Sequence, residues 1–444
     1  MTQPGEPLQI LRTRGYVGLL VLAALIGAPV AAAAYGFLAL VQRLQTLLYT
    51  DLPKALGFQG EPLWWPVPLL FAAGLLVGLA VRFLPGRGGH SPTQGLQPGA
   101  PRPIELPGVL AAALASLALG AVIGPEAPLI ALGGGLAAAV PLLLRAAPPR
   151  ATAAMGAAGS FAAISTLLGS PILGAFLVME SAGLAGTMLD VALLPGLLAA
   201  GVGALIFLGI GAWTGLGTFS LAIPGLPPAG QLDIAQFGWA LAIGLATAVA
   251  GAAVRRLAMA LRPHVERRLV LLTPLAGLVV AALAIAYAAV TGRSSSEVLF
   301  SGQTALPPFV ANAAGYSVET LVLLMACKGL AYAVSLSAFR GGPIFPALFL
   351  GAAGGVAVSH LPGMALVPAI GMGMGAMCAV MLRLPLTAVL VVTLLLLADG
   401  IAVMPVVIVA VVVAYVASAR LAPAPAAAPR EASEPVAAGD VATS

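Results

Sequence analysis

Residues 328–355 read KGLAYAVSLSAFRGGPIFPALFLGAAGG. This stretch predicts a long apolar helix, a sharp turn at Arg340, Gly341 and Gly342, and a second apolar helix that begins near Pro343. Glycines let a backbone approach a ligand closely, and a helix that begins at membrane depth must line a cavity or a binding site. We therefore expect an anion-binding helix start here, with a glycine-rich structural turn as the alternative.

The composition places the chain in a membrane. Of its 444 residues, 60% are hydrophobic and 8% are charged, whereas a soluble domain carries about 25% charged residues. Helices with so few charges have no polar face for water, so lipid is the solvent that suits them. The net charge of +5 does not indicate nucleic-acid binding. We predict an all-α integral membrane protein that lies in a lipid bilayer, without a nucleic-acid partner.

Apolar stretches of about 18 residues or more predict spanning helices. Shorter apolar pieces broken by Gly and Pro predict half-helices or tilted helices that end inside the membrane. The predicted spans are 16–48, 64–84, 104–121, 126–144, 151–169, 189–212, 234–262, 269–291, 317–336 and 400–419. The predicted shorter pieces are 171–180, 344–360, 364–379 and 384–398.

Basic clusters predict the topology. Five arginines against one acid, Glu266, make the segment from Arg255 to Arg268 cytoplasmic, and the 82–102 loop and both termini are expected on the same side. The N-terminus also imitates a secretory signal, but its apolar run continues past residue 40 and predicts a retained first helix. The expected location is the cell membrane, in a bacterium the inner membrane, crossed several times.

The order of the helices predicts two halves of opposite orientation, which is the layout of an inverted-topology repeat. The first helix of the first half runs from the inside to the outside of the membrane, and the first helix of the second half runs from the outside to the inside. The predicted divisions are a cytoplasmic segment 1–15, a first half 16–212, an extracellular linker 213–233, a second half 234–420 and a disordered Pro/Ala-rich tail 421–444.

Glu126 is the strongest candidate for a functional side chain. It is the one charged residue between Glu105 and Arg145, in the sequence Gly-Pro-Glu-Ala-Pro at 124–128. A lone carboxylate at membrane depth requires water, a cation or helix-end amides, and a helix N-terminus offers free N–H groups and a partial positive charge. A carboxylate that competes there with a permeating anion is a gate; a helix-capping acid at an interface is the alternative.

Three weaker signals remain. The Gly-rich segment 86–92 either begins a short helix capped by Ser91 or is a plain cytoplasmic loop. Glu180, the one charge between Arg150 and Asp190, is either a proton-relay acid or a carboxylate at the cytoplasmic boundary. The segment 383–387 reads as a helix start with a structural arginine.

These segments, in this order, resemble the CLC family of chloride channels and chloride/proton exchangers. Residues 124–128 resemble the family's GxEGP, 342–346 its GxFxP, and 88–92 its GSGIP. Residues 171–181 and 383–387 resemble the segments around its inner proton-path glutamate and its RxPLT helix. The resemblance extends over about 16–420 and implies a CLC-like inverted repeat of spanning, tilted and half helices.

The resemblance also implies a homodimer with one anion pathway per subunit, and an anion held by helix N-termini near the membrane midplane. On this match Glu126 is the gating glutamate, and a proton path would use Glu126 and Glu180. The implied anion-binding residues are Gly89, Ser91, Gly124, Ala127, Gly342, Ile344 and Phe345.

Five positions depart from the family pattern, and one of them is Ile344, which takes the position of the phenylalanine in GxFxP. Gly89 replaces a serine that supplies a hydroxyl, and Ser181 stands where the inner glutamate is expected, one residue after Glu180. Pro343 has no N–H, which predicts the loss of one backbone donor. The expected tyrosine falls near Ala426, where there is none.

Three functions follow from these residues. The slightly favoured one is passive chloride conduction, because Ser181 provides no inner acid. The first alternative is chloride/proton exchange through Glu126 and Glu180, and the second is secondary transport of another solute. An enzyme is disfavoured, since the chain has no HExxH and no paired aspartates. No cofactor or metal is expected.

Overall fold

The computed structural model describes residues 12–96, 99–143, 149–183, 187–214, 222–223 and 225–421. In these ranges the regular secondary structure is helical, and the single β-type pairing is an isolated bridge between Gly124 and Gly342. The prediction of an all-α membrane protein is confirmed. Of the proposed tail 421–444, Leu421 is described and ends a helix, and residues 422–444 lie outside the described residues, as do most of segment 1–15 and part of linker 213–233.

The α-helices of the described residues are numbered in chain order. The first eight are α1 (Arg14–Thr46), α2 (Leu52–Ala55), α3 (Pro66–Phe83), α4 (Leu106–Ala118), α5 (Glu126–Leu143), α6 (Pro149–Leu168), α7 (Pro171–Ala182) and α8 (Thr187–Thr214). The others are α9 (Ile234–Arg267), α10 (Leu269–Thr291), α11 (Leu306–Ala311), α12 (Val318–Ala338), α13 (Ile344–Ser359), α14 (Leu366–Leu382), α15 (Pro385–Leu395) and α16 (Ala398–Leu421).

Eight helical segments in the described ranges are long and apolar enough to span a membrane. One predicted span is wrong in length. The stretch 104–121 forms α4, whose 13 residues rise about 20 Å against a hydrocarbon core of about 30 Å. The stretch 126–144 forms α5 as far as Leu143, and the residues that follow, 144–148, lie outside the described ranges. At α4, apolar content overlooked the break at Gly120, with φ +109°.

Close helix contacts follow the same plan in the two predicted halves. In the first, α5 packs on α6 where Gly133 faces Gly159, and a Cβ on either would collide with the backbone of the other helix. In the second, α13 packs on α14 in the same way through Gly351 and Gly373. Small residues permit such backbone approach in membranes. The boundaries of the halves stay a prediction.

One buried cation fixes the surroundings of α13. Lys328 of α12 is fully buried, and its Nζ donates to the carbonyl oxygens of Glu297 and Val298 at 3.0 Å and of Leu299 at 3.1 Å. The ammonium also lies 4.6 Å from the ring centre of Phe349. These partners replace the water that the charge has lost, and they tie the 297–300 turn to α12 and α13.

Candidate functional site

Glu126 lies at the contact between the two predicted halves. It is the first residue of α5, and its side chain is fully buried. The backbone N–H of Phe345, in the first turn of α13, donates to Glu126 Oε1 at 2.9 Å. The N–H groups of Ile344 and of Glu126 itself also face the carboxylate, whereas Oε2 has no hydrogen-bond partner. The carboxylate therefore occupies the N-terminus of α13, where unpaired amides favour a negative charge.

Two glycines hold the loops before α5 and α13 together. Gly124 N–H donates to Gly342 O at 2.7 Å, and Gly342 N–H donates to Gly124 O at 2.6 Å. A Cβ at either position would collide with the Glu126 carboxylate. In this conformation Gly124 and Gly342, both expected to bind an anion, have no free N–H. They provide the space that the carboxylate fills.

The expectation that Pro343 removes a donor is wrong. Pro343 lies before the first residue of α13, and the amides that face Glu126 belong to Ile344 and Phe345. Sequence reasoning also missed Tyr332, a fully buried residue of α12 whose hydroxyl donates to Pro343 O at 2.7 Å. A lone tyrosine in an apolar helix gives no sequence signal of a functional role, because its hydrogen-bond partner, Pro343 O, lies outside that helix, in the turn before α13.

A cavity of about 1400 Å³ lies among the basic loops, and we call it the basic cavity. Its charged lining is six arginines against two glutamates, which makes it attractive to anions. Its wall also contains Ala127 and Pro128 from the first turn of α5, with Arg340 and Gly341 from the turn before α13. The arginines are Arg82, Arg87, Arg262, Arg267, Arg268 and Arg340, and the glutamates are Glu105 and Glu266.

Gly89 and Ser91 also line the basic cavity, so the structure brings them to the same space as Ala127. Gly89 has φ +84°, and its N–H donates to Gly86 O at 2.8 Å. The short helix predicted after Ser91 is a single 3₁₀ turn, Pro92–Gln94. Ser91 is its N-cap residue but makes no side-chain capping bond, and its hydroxyl lies 2.9 Å from the hydroxyl of Thr93. Thr93 accepts a hydrogen bond from Arg262 at 3.2 Å.

Glu180 lies at a different helix start. Its carboxylate accepts from Leu386 N–H at 3.0 Å and from Thr387 N–H at 2.7 Å, in the first turn of α15. The Thr387 hydroxyl donates to it at 2.6 Å. Ser181, next to it, donates to Val178 O of its own helix at 3.0 Å. The carboxylate of Glu180 thus caps α15 from outside that helix.

The fold and this site define a membrane protein of many helices in which helix N-termini at a buried site are occupied by a carboxylate. A family model described as Voltage gated chloride channel matches residues 73–419. The chain therefore belongs to the voltage-gated chloride channel family, the CLC family, whose proteins transport anions.

Curated relatives cover most of the chain. The protein named "Putative ion-transport protein YfeO" of Escherichia fergusonii is 33% identical over 328 residues, which is 72% of this chain and 74% of that protein. The protein of the same name from an Escherichia coli strain is 32% identical over the same shares of both chains.

Solved structures show the same fold. A slow cyanobacterial Cl⁻/H⁺ antiporter has a TM-score of 0.71 at 19% identity, over 91% of this chain and 94% of that one. A CLC-type fluoride/proton antiporter has a TM-score of 0.64 at 19% identity, over 91% and 96%. A eukaryotic CLC transporter has a TM-score of 0.68 at 14% identity, over 91% and 72%.

Proposed function

We propose that this protein lets chloride or a similar small anion cross the membrane passively, with Glu126 as the gate. The observation that carries the proposal is the Glu126 carboxylate on the Phe345 N–H. That place suits any small anion for the same physical reason that it suits the carboxylate. When the side chain leaves, the amides of Ile344 and Phe345 become available to a permeating anion.

The basic cavity is the cytoplasmic entrance to this site. Five of its six arginines lie in the segments 82–102 and 255–268, which the positive-inside rule assigns to the cytoplasm, so both termini are cytoplasmic in the proposal. The positive field raises the local concentration of anions next to α5. Each subunit of a homodimer contains one such entrance and one Glu126 gate, in a bacterial inner membrane.

The Glu180 contacts support passive conduction over proton coupling. Three donors hold its carboxylate at the start of α15, and charge-assisted hydrogen bonds of this kind are the stronger ones. Ser181 has no acidic group, so the cytoplasmic side of the route lacks an inner acid that is free to carry protons.

Chloride/proton exchange is the second candidate. Two of the similar solved structures are a Cl⁻/H⁺ antiporter and a fluoride/proton antiporter. In addition, Glu126 Oε2 accepts no hydrogen bond, so a proton can bind to this oxygen without displacing a donor. In this alternative Glu126 carries protons on the outer side and Glu180 on the inner side. Secondary transport of another solute is the remaining alternative.

Flux from proteoliposomes tests the proposal. With a chloride gradient and a potassium ionophore, we expect wild-type protein to release chloride without moving protons, and Glu126→Ala to change the chloride rate strongly. Asp51→Asn, an acid paired with Arg43 away from the site, is the matched control. Absence of anion flux from a panel of chloride, fluoride and nitrate would overturn the proposal. Proton uptake abolished by Glu180→Gln would replace it with exchange.

A further inference from the structure

Arg340 is a buried arginine with unused donors. Its side chain is 7% exposed, in the turn that joins α12 to α13. Of the five N–H donors of a guanidinium, one on Nη1 bonds to Phe339 O at 3.2 Å, whereas the buried Nε has no partner. The end of α12 therefore accounts for one donor of this side chain and leaves its charge uncompensated.

No carboxylate pairs with Arg340 within the described residues. The ion pairs found there join other groups. Glu266 acts on Arg340 at longer range, and it is itself paired with Arg262 at 2.6 Å. A buried cation is unfavourable unless it is paired, and no described residue supplies a counter-ion to this arginine.

The position of Arg340 suggests where a counter-ion comes from. Arg340 lines the basic cavity, together with Ala127 from the first turn of α5. Two residues further on, Gly342 contacts the Glu126 carboxylate closely enough that a Cβ there would collide with it. The backbone of Gly88 packs on the Arg340 side chain, since a Cβ at Gly88 would lie 3.4 Å from Arg340 Cγ.

We propose that Arg340 is an anion-binding residue, whose guanidinium holds a small monovalent inorganic anion in the basic cavity, which also reaches the first turn of α5. The inference rests on the proposed function, because it assigns a binding residue to the same anion route.

Anomalous scattering from bromide tests the site directly in the wild-type protein. In crystals grown in bromide, we expect an anomalous peak within hydrogen-bond reach of the Arg340 guanidinium, and no such peak in Arg340→Gln. A bromide-containing crystal without a peak at Arg340 would overturn the inference, whether or not the protein conducts anions.

Concentration dependence of flux tests the same residue in a membrane. A charge-assisted hydrogen bond is worth enough to raise the half-saturating chloride concentration of Arg340→Gln by roughly tenfold or more. Arg340→Lys, which keeps the charge, should recover most of this loss. Arg43→Gln removes the same charge from an exposed pair outside the basic cavity and should leave the half-saturating concentration unchanged.

The outcomes separate the two proposals. If the wild-type protein moves no anion, passive transport fails, and the bromide experiment alone judges Arg340. If the wild-type protein conducts and Arg340→Gln, monodisperse on gel filtration, keeps the wild-type half-saturating concentration, Arg340 is only structural. If Arg340→Gln does not fold, crystals of Arg340→Lys grown in bromide decide. Loss of the anomalous peak in this variant, which is folded and keeps the positive charge, would contradict the inference.

Discussion

Glu126 and Glu180 are two carboxylates that each occupy the N-terminus of a helix far away in the sequence, and they differ in how firmly they are held. Glu126 is fully buried, receives one hydrogen bond within standard geometry and has one oxygen without a partner. Glu180 receives three hydrogen bonds and is partly exposed. The same helix-end physics therefore gives one loosely held side chain, which suits the proposed gate, and one that serves as a cap.

The largest expected effect comes from displacing Glu126 without altering its carboxylate. In Gly342→Ala the new Cβ occupies the space of that carboxylate, so the bond to Phe345 N–H is lost. At about 1.5–3 kcal/mol for such a bond, the open fraction of the gate should shift by roughly 10- to 100-fold. Chloride efflux should change in the same direction as in Glu126→Ala.

Gly354→Ala is the matched control for this prediction. Gly354 belongs to α13, the helix that follows Gly342, but its Cβ would meet only Met325 Sδ at 3.6 Å, an ordinary contact. Equal flux in the two alanine variants would show that Glu126 does not depend on the space at Gly342.

Removing the charge of Glu180 should affect stability rather than conduction. Glu180→Gln weakens three hydrogen bonds at the start of α15, which costs about 1.5–3 kcal/mol. We expect the thermal unfolding temperature in detergent to fall by a few degrees, while chloride flux per folded protein stays at the wild-type value. A changed flux with an unchanged unfolding temperature would reverse the roles assigned to the two glutamates.

Thr387→Val should lower stability by less than Glu180→Gln does. It keeps the side-chain shape and removes only the hydroxyl that donates to Glu180, so its unfolding temperature should lie between those of wild type and Glu180→Gln.

A smaller effect on chloride flux is expected at Tyr332, because its hydroxyl supports the start of α13, where the Phe345 amide holds the Glu126 carboxylate. Tyr332→Phe leaves the carbonyl of Pro343 without its hydroxyl donor, at a cost of about 1 kcal/mol. The start of α13 should loosen, with a modest change of chloride flux in the direction of Glu126→Ala. An unchanged flux would show that the Tyr332 hydroxyl does not stabilise the start of α13. Tyr35→Phe, which removes a hydroxyl from α1, is the control.

The smallest effect concerns Glu61, a third carboxylate in the loop before α3. Burial raises the pKa of Glu61, and hydrogen bonds from Ser295 and Ser296 oppose the rise. Since a raised pKa means that the folded state favours the proton, this contribution to stability is present at acid pH and is lost as the pH rises through the folded pKa. The unfolding temperature of wild type minus that of Glu61→Gln should decrease from about pH 4 to pH 7; a flat difference would contradict the burial effect.

Much of the fold followed from local patterns. Apolar length predicted the long helices and the shorter pieces at 171–180, 344–360, 364–379 and 384–398, which form α7, α13, α14 and α15. Glu126 and Glu180 were conspicuous because a lone charge in an apolar run is costly in lipid. Length alone failed at α4, since the apolar count does not register a glycine with positive φ.

The sequence by itself determined that this is a helical membrane protein, that helices begin near residues 126 and 344, and that the carboxylates at 126 and 180 need partners. Only the tertiary structure decided which partners these are: Phe345, 219 positions from Glu126, and Thr387, 207 positions from Glu180. It also paired Gly124 with Gly342 and placed Arg340 in the basic cavity without a carboxylate from the described residues. The physical reason is that the free-energy cost of burying a charge depends on one residue and its local segment, which the sequence shows. Which backbone amide points at that charge is decided only when helices that are distant in the sequence pack together.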